Sequence, residues 1–523
     1  MLRLSVALIL LAGNCMAQDF QSSNLPIVLI DTYGQTIMDE PDIVAGMQII
    51  DNGEGQINSI TDNPVYVGNI NIEIRGSSSQ DFDKNNYGLE TIDLFGNDLD
   101  TNLMGFPKEE DWILHGPWAD KSLLRNDLTM HIFREMGHYS SRTQFCELVI
   151  DEDYRGLYVF MEKIKRDDSR VDIAKLTPDD NEGDELTGGY ILKFDWPEDP
   201  GFLSDYNAVA GGPLYFQYVD PKPQNITQQQ EDYISSFIGE FEDALFASNY
   251  TNSQGQHYSE YIDIYTFIDQ LIINELAKDV DGYKLSTFMH KDKDSKDPRL
   301  KAGPVWDYNI AWYNADYCYG WDSTGWLFSE LYCEDLELMP QWWTKFWADD
   351  YFLDALACRW AELKTTIINE EYLNGYIIAQ ESLIGDAADR NYERWDILNE
   401  ETWGHPFDPP GSWNGEVQIL KDWVSARLTW MDNNIPGNCA ATSIEENSVE
   451  FSMGPNPTSG QLNIRSTDQL DIEIWNIQGQ LVRTFASVYP NSQLILGEMA
   501  DGVYTLVLDN GAARRQEKLV IQH

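Results

Sequence analysis

Two acids, Asp281 and Asp307, flank a short run whose residue types fold it back on itself. An apolar helical pattern through Ile273 ends in Lys278-Asp279-Val280-Asp281-Gly282. A β-type segment follows from Leu285 to His290, then a charged turn, and then Gly303-Pro304-Val305-Trp306-Asp307-Tyr308-Asn309. Carboxylates brought together by a turn repel one another unless protons, cations or donors compensate. Asp281 and Asp307 are therefore candidates for a divalent cation site, with Asn309, Asn314 and Asp316 continuing a polar rim beside it. Asp279 competes with Asp281 for the first position. The plainer alternative is that Asp281-Gly282 is a turn and Asp307 a cap.

Other elements must carry the groups that would meet a ligand on such a cation. Ile70 to Arg75 alternates apolar and polar residues as a half-buried strand does, and Gly76-Ser77-Ser78-Ser79-Gln80 follows. Small residues beside Arg75 and Lys84 let a phosphate approach backbone donors with two cations near, although a Ser-rich turn between strands is commonplace. Asp120 to Asn126 reads as a helix start, with Asp120 at the cap, Arg125 and Asn126 in the first turns, and the helix running from Leu123 to Met136. Arg125 and Asn126 read as scaffold. Phe145 to Ile150 and Leu157 to Ile164 form a hairpin around Asp151 to Gly156, and its second strand delivers Glu162. Glu162 is a candidate for an ion pair that positions a phosphate-binding lysine; the alternative is ordinary strand-edge charge.

From Ile226 the period becomes helical, and three later helices read from Trp342 to Leu363, Glu371 to Asp389 and Trp413 to Asn433. Trp306 is placed to stack on a base, or to fill the core.

Composition bounds the possibilities. The chain has 523 residues and a net charge of −52, a surface that repels nucleic acid and anionic lipid. Any nucleotide site must build its positive charge locally. With 42% hydrophobic residues and 17 Trp, the acidity belongs to a solvated face of a folded protein. Met1 to Ala17 has the pattern of a secretory signal peptide, and no later stretch reaches membrane-spanning length. Of the 6 Cys, Cys15 falls in that leader. The remainder allow two disulfides and one thiol in an oxidising compartment, and Cys318 with Cys333, flanking a loop after Asp307, is the first-choice pair. No CxxC or HExxH spacing suggests zinc, and the GxGxxG, HRD, DFG and Walker A patterns of familiar nucleotide enzymes are missing.

The two acids and their surroundings resemble the CotH family of secreted kinases. That family has an acid before a hairpin, a PWD-type motif after it, an RG-small-small segment ahead of a lysine strand, and a Y-x-x-x-E strand, here Tyr158 to Glu162. The resemblance implies an atypical kinase-like fold with strands first and helices after. It also implies ATP with Mg2+ or Mn2+, catalytic and metal acids at Asp281 and Asp307, and nucleotide contacts from Arg75, Lys84, Glu162 and Trp306. Asp281 is preferred to Asp279 because the Gly-Tyr-Lys-Leu-Ser after it is similar to the family's segment.

Residues 436–448 have linker composition, and 449–523 carry short alternating strands. Gly454-Pro455-Asn456-Pro457, a Trp475 to Gln480 turn, Gly502-Val503-Tyr504 and a basic last strand resemble the C-terminal sorting domain read by the type IX secretion system. An immunoglobulin-like sandwich has similar strands without that opening. The expected organisation is thus α+β: signal peptide 1–17, kinase-like domain 25–435, linker, then a small all-β immunoglobulin-like sandwich. The expected function is a secreted or surface kinase phosphorylating Ser or Thr of an exported protein, with the secretion machinery as a second partner. The competing readings are a non-catalytic binding protein holding calcium at the same acids, and a glycan hydrolase using a carboxylate pair.

Overall fold

The computed structural model describes residues 20–330, 338–439, 451–466, 469–476, 481–490, 492–509 and 514–522. The signal peptide, Cys333 and most of the linker expected from the sequence lie outside them. The chain divides into two compact units, one ending at Asn438 and the other starting at Cys439.

The first unit begins with strand-forming segments that close on themselves. Ile27–Asp31, Ile43–Ile50, Tyr66–Arg75, Asn86–Ile92, Asp111–His115, Asp153–Glu162 and Thr143–Ile150 are neighbours in that order. The ring shuts where Ile27 to Ile30 pairs in parallel with Glu147 to Ile150. Alternation decides what fills it: Ile70, Ile72, Leu89, Trp112, Leu148 and Phe160 point into one apolar interior. Closure removes the exposed edges that an open sheet would offer to other chains.

A second, five-stranded antiparallel sheet runs Gly201–Asn207, Pro213–Asp220, Tyr190–Phe194, Thr287–Lys291, Leu300–Ala302. Its last two strands form the hairpin expected between the two acids, with Met289 opposite Ala302 and Lys291 opposite Leu300. Strands are thus interleaved with helices, so the arrangement is α+β without the simple succession of strands then helices.

The Ile264–Ala277 helix is buried on nearly every side, as expected of a central helix whose sequence is apolar all round. Around it stand Gln228–Phe246, Asp350–Lys364, Glu370–Arg394 and Trp413–Asn434. The helix read from Trp342 to Leu363 is two pieces, Trp342–Phe346 and Asp350–Lys364. Asp349 leaves the helical conformation and its carboxylate accepts the Tyr351 amide, starting a new helix. No described helix is long and apolar enough to cross a membrane.

The second unit has a three-stranded and a four-stranded antiparallel sheet. Leu462, Ile464, Ile472, Ile474, Leu506 and Leu519 belong to one core shared by both. Gly502-Val503-Tyr504 opens an inner strand, and Arg514–Ile521 is the edge strand beside it.

Candidate functional site

The Ile264–Ala277 helix ends at Lys278, which takes a left-handed conformation with φ 49°. The Lys278 amide donates to the Glu275 carbonyl at 3.2 Å, and the Asp279 amide donates to the Asn274 carbonyl at 3.1 Å. These reversed bonds satisfy the last carbonyls and turn the chain sharply into Asp279 to Gly282. Asp279 is 1% exposed, whereas Asp281 is partly open to solvent. Burial, then the neighbouring Asp281 and Asp307, hold the Asp279 carboxyl well above the usual range. Asp281 has Lys284 at 3.7 Å and the Tyr317 hydroxyl at 3.4 Å. Of the two acids in this loop, Asp281 is the one open to solvent.

Asp307 also sits in a left-handed conformation, φ 69°, uncommon for a residue with a side chain. The Arg125–Glu135 helix holds the chain just beyond it. Asn126 Oδ1 accepts the Tyr308 amide at 2.6 Å, Arg125 Nε donates to the Trp312 carbonyl at 3.3 Å, and the Trp312 indole donates to Thr129 at 2.8 Å. Asp120 accepts the Arg125 amide at 2.8 Å and also pairs with its guanidinium. Arg125 and Asn126 thus work as scaffold. The helix itself starts at Arg125, two residues later than the sequence pattern suggests.

Asp307 is reached by solvent yet densely surrounded by protein. Its carboxyl is pushed up to about 6, first by desolvation and then by Asp281, with Arg75 opposing. Solvent access moderates that push, but its direction follows from two like charges in one neighbourhood. Asp281 and Asp307, 26 positions apart, are therefore brought within electrostatic reach of each other. Arg75 faces the same place, with its guanidinium 5.7 Å from the centre of the Trp306 ring.

Asn309 Oδ1 is buried and has no hydrogen-bond partner. Asn309 lies two residues after Asp307, and an orphaned amide oxygen in that stretch fits a hard cation such as Mg2+, Mn2+ or Ca2+, which takes oxygen ligands. Asp281, Asp307 and Asn309 would hold it. Among the described residues, the group of three carboxylates with oxygens within 4.8 Å of one another lies elsewhere, at Asp100, Glu109 and Glu110.

Lys84 and Glu162 are held by separate partners. Lys84 is 1% exposed, and its ammonium donates to the Leu157 carbonyl at 2.6 Å and to Asn391 Oδ1 at 2.7 Å, above the Tyr158 ring. Burial lowers it to about 7. Glu162 is bound by the Arg142 guanidinium and amide, by the Tyr139 hydroxyl at 3.3 Å, and lies 3.9 Å from Arg170. The two are not joined to each other: arginines answer Glu162, and neutral oxygens answer Lys84.

Three residues beside the acids escape the sequence reading. His115 has Nε2 3.3 Å from the Asn126 amide, and burial, then Lys84 and Arg75, hold it down to about 4, so it is neutral. Lys284 and Tyr317 reach Asp281. A lone His at a strand end or a Lys in a turn carries no sequence signal; only the preceding motif marked their neighbourhood. Cys318, Cys358 and Cys439 are disulfide-bonded, and Cys146 is a buried free thiol.

A search of curated proteins returns no match. Family comparison is informative for both units. Residues 452–522 match the secretion system C-terminal sorting domain, the tail of type IX export, which indicates secretion or placement at the outer surface. Residues 72–431, spanning the barrel from its third strand, the second sheet, both acid loops and the last long helix, match the CotH kinase protein pattern. With that match covering well over half of its length, the chain belongs to the CotH family.

Proposed function

We propose that this is a secreted or cell-surface protein kinase that transfers the γ-phosphoryl group of ATP to a Ser or Thr hydroxyl of an exported protein. The observation that carries the reading is the electrostatic proximity of Asp281 and Asp307, with an unsatisfied oxygen on Asn309 two residues further on. A bound Mg2+ or Mn2+ would neutralise charge on the β and γ phosphates. Arg75, seated on Trp306, is a fixed cation for phosphate oxygens, and the exposed part of the Trp306 ring is available to a base. Asp281 accepts the proton of the acceptor hydroxyl as its oxygen bonds to the γ phosphorus and the bond to the β,γ-bridging oxygen breaks, releasing ADP. Neutral His115 adds no further charge to the surroundings. Lys84, behind His115, supports the barrel end that carries Arg75 and reaches phosphate only by leaving Asn391.

Incubating the purified chain with labelled ATP, each divalent metal in turn and a basic Ser-containing protein tests this. Transfer that needs metal and disappears in Asp307→Ala is expected; absence of nucleotide binding with every metal refutes it. A second reading, a non-catalytic surface protein with a calcium-type carboxylate site, is favoured by the separation of Lys84 from Glu162. ATP scarcity outside cells points the same way. Stabilisation by Ca2+ without ATP binding would select it.

A further inference from the structure

We infer that Asn274 and Tyr308 form a tie that fixes the spacing of the two acid-bearing loops. Asn274 lies within the central helix among Ile272, Ile273 and Leu276, and is fully buried, as is Tyr308 at 2% exposure. A primary amide in such a place is costly unless its polar atoms are satisfied. Here each has a partner. Asn274 Nδ2 donates to the Gly282 carbonyl at 2.6 Å, and Asn274 Oδ1 accepts the Tyr308 hydroxyl. The orientation of the amide is fixed by chemistry, because the Gly282 carbonyl can only accept, so nitrogen must face it and oxygen must face the phenol.

The two partners have meaningful positions. Gly282 directly follows Asp281, and Tyr308 directly follows Asp307. One side chain therefore bridges the residue after each acid. Main-chain bonds extend the tie in both directions: the Asn274 carbonyl accepts the Asp279 amide, and the Tyr308 amide is held by Asn126. A methyl group at Gly282 would lie 2.8 Å from Asn274 Oδ1 and 2.7 Å from Asp279 Oδ2, so glycine is what lets the loop press against the amide. Neither Asn274 nor Tyr308 touches the cation or substrate proposed above. They are positioning residues, and their role at the acids rests on that reading, whereas the tie between loops does not.

Two variants approach the tie from opposite ends. Tyr308→Phe removes one hydroxyl, and Gly282→Ala pushes a methyl into the Asn274 amide. Amide hydrogen exchange of the metal-free full chain is expected to quicken in residues 279–287 in Tyr308→Phe, with residues 143–162 of the barrel unchanged as the folding control. The expected increase is on the order of tenfold, equivalent to one buried hydrogen bond. Unchanged exchange in 279–287 overturns the tie. Mn2+ affinity, read by electron paramagnetic resonance, is expected to weaken on the order of tenfold in both variants by the same equivalence. Accelerated exchange with unaltered Mn2+ affinity overturns the positioning role. A wild-type chain that binds no Mn2+ overturns the metal site itself, and the exchange result still decides whether the loops are tied.

Discussion

Two clusters of carboxylates in the first unit differ in how their charge is answered. At Asp100, Glu109 and Glu110 the oxygens crowd within 4.8 Å, and the protein supplies the cation itself. Lys165 reaches Glu109 at 2.9 Å, Asp111 at 2.8 Å and also Glu110, while Arg170 stands 3.9 Å from Glu109. At Asp279, Asp281 and Asp307 the answering groups come from several elements: Lys284 is 3.7 Å from Asp281, and Arg75 acts on Asp307 at longer range than an ion pair. Crowding alone therefore does not distinguish a site from a scaffold. The unsatisfied oxygen at Asn309 is what favours the second cluster as the proposed cation site.

Removing a charge on each side breaks the comparison most directly. Asp307→Ala is expected to lower metal-dependent phosphoryl transfer on the order of 10³-fold or more, because nothing else in the loop replaces its carboxylate. Lys165→Met should instead leave Mn2+ affinity and transfer unchanged and lower stability by about 2–4 kcal/mol, since Glu109 and Glu110 would lose their nearest cation. Chemical denaturation and a transfer assay on both proteins give the four numbers. If Lys165→Met loses metal and Asp307→Ala does not, the roles of the two clusters are reversed.

The next effect is one of pH. Desolvation and Asp281 push the Asp307 carboxyl up to about 6 in the folded chain, against an ordinary value of 3.8. Between those values the folded protein holds a proton that the unfolded chain has released, so metal-free stability falls as pH rises through this window and the penalty is complete above about 6. Solvent reaches the carboxylate, so the penalty is on the order of 1 kcal/mol. Cation binding needs the ionised form, and Mn2+ affinity should therefore rise over the same interval in which stability drops. Asp307→Asn is expected to flatten both curves. Parallel movement of affinity and stability would contradict the assignment.

Asp279 and Asp281 provide a finer contrast within one loop. Burial favours the protonated form of Asp279, and Asp279→Asn is close to that form in shape and charge. Its effect on Mn2+ affinity should stay within about threefold, below the ~1 kcal/mol typical of a point substitution, while Asp281→Asn removes a proposed ligand and should abolish binding. Equal losses would make Asp279 a ligand as well.

What the sequence disclosed, and what it hid, follows from how local each feature is. The hairpin between the acids was legible because turn residues and alternation are written within some 30 positions. Arg125 and Asn126 read as scaffold and are scaffold. Barrel closure was not legible: Ile27 to Ile30 meets Glu147 to Ile150 in parallel, a pairing that no local pattern encodes. Asn274 was hidden for another reason, since a single amide in an apolar helix looks like tolerated noise until its two partners are known. Lys84 and Glu162 show the limit of motif reading. Their types match the family pattern, but the partner of each is set by residues far away, Asn391 for one and Arg142 for the other.

Lys84 therefore yields the smallest effect on chemistry and the sharpest test of motif against environment. Its ammonium has two protein acceptors, the Leu157 carbonyl and Asn391 Oδ1, and the second belongs to the Glu370–Arg394 helix packed on the barrel. Replacing it with Met keeps the length of the side chain and removes the donor, leaving both oxygens buried and unanswered, at a cost of about 1–3 kcal/mol. If Lys84 serves the fold, denaturation midpoints fall and the affinity for ATP in the presence of Mn2+ stays the same. If the bound nucleotide draws Lys84 away from Asn391, affinity falls instead, and Asn391→Ala should strengthen binding by freeing the amine. The two variants move ATP affinity in opposite directions only in that second case, so measuring both decides whether this lysine anchors a helix or a phosphate.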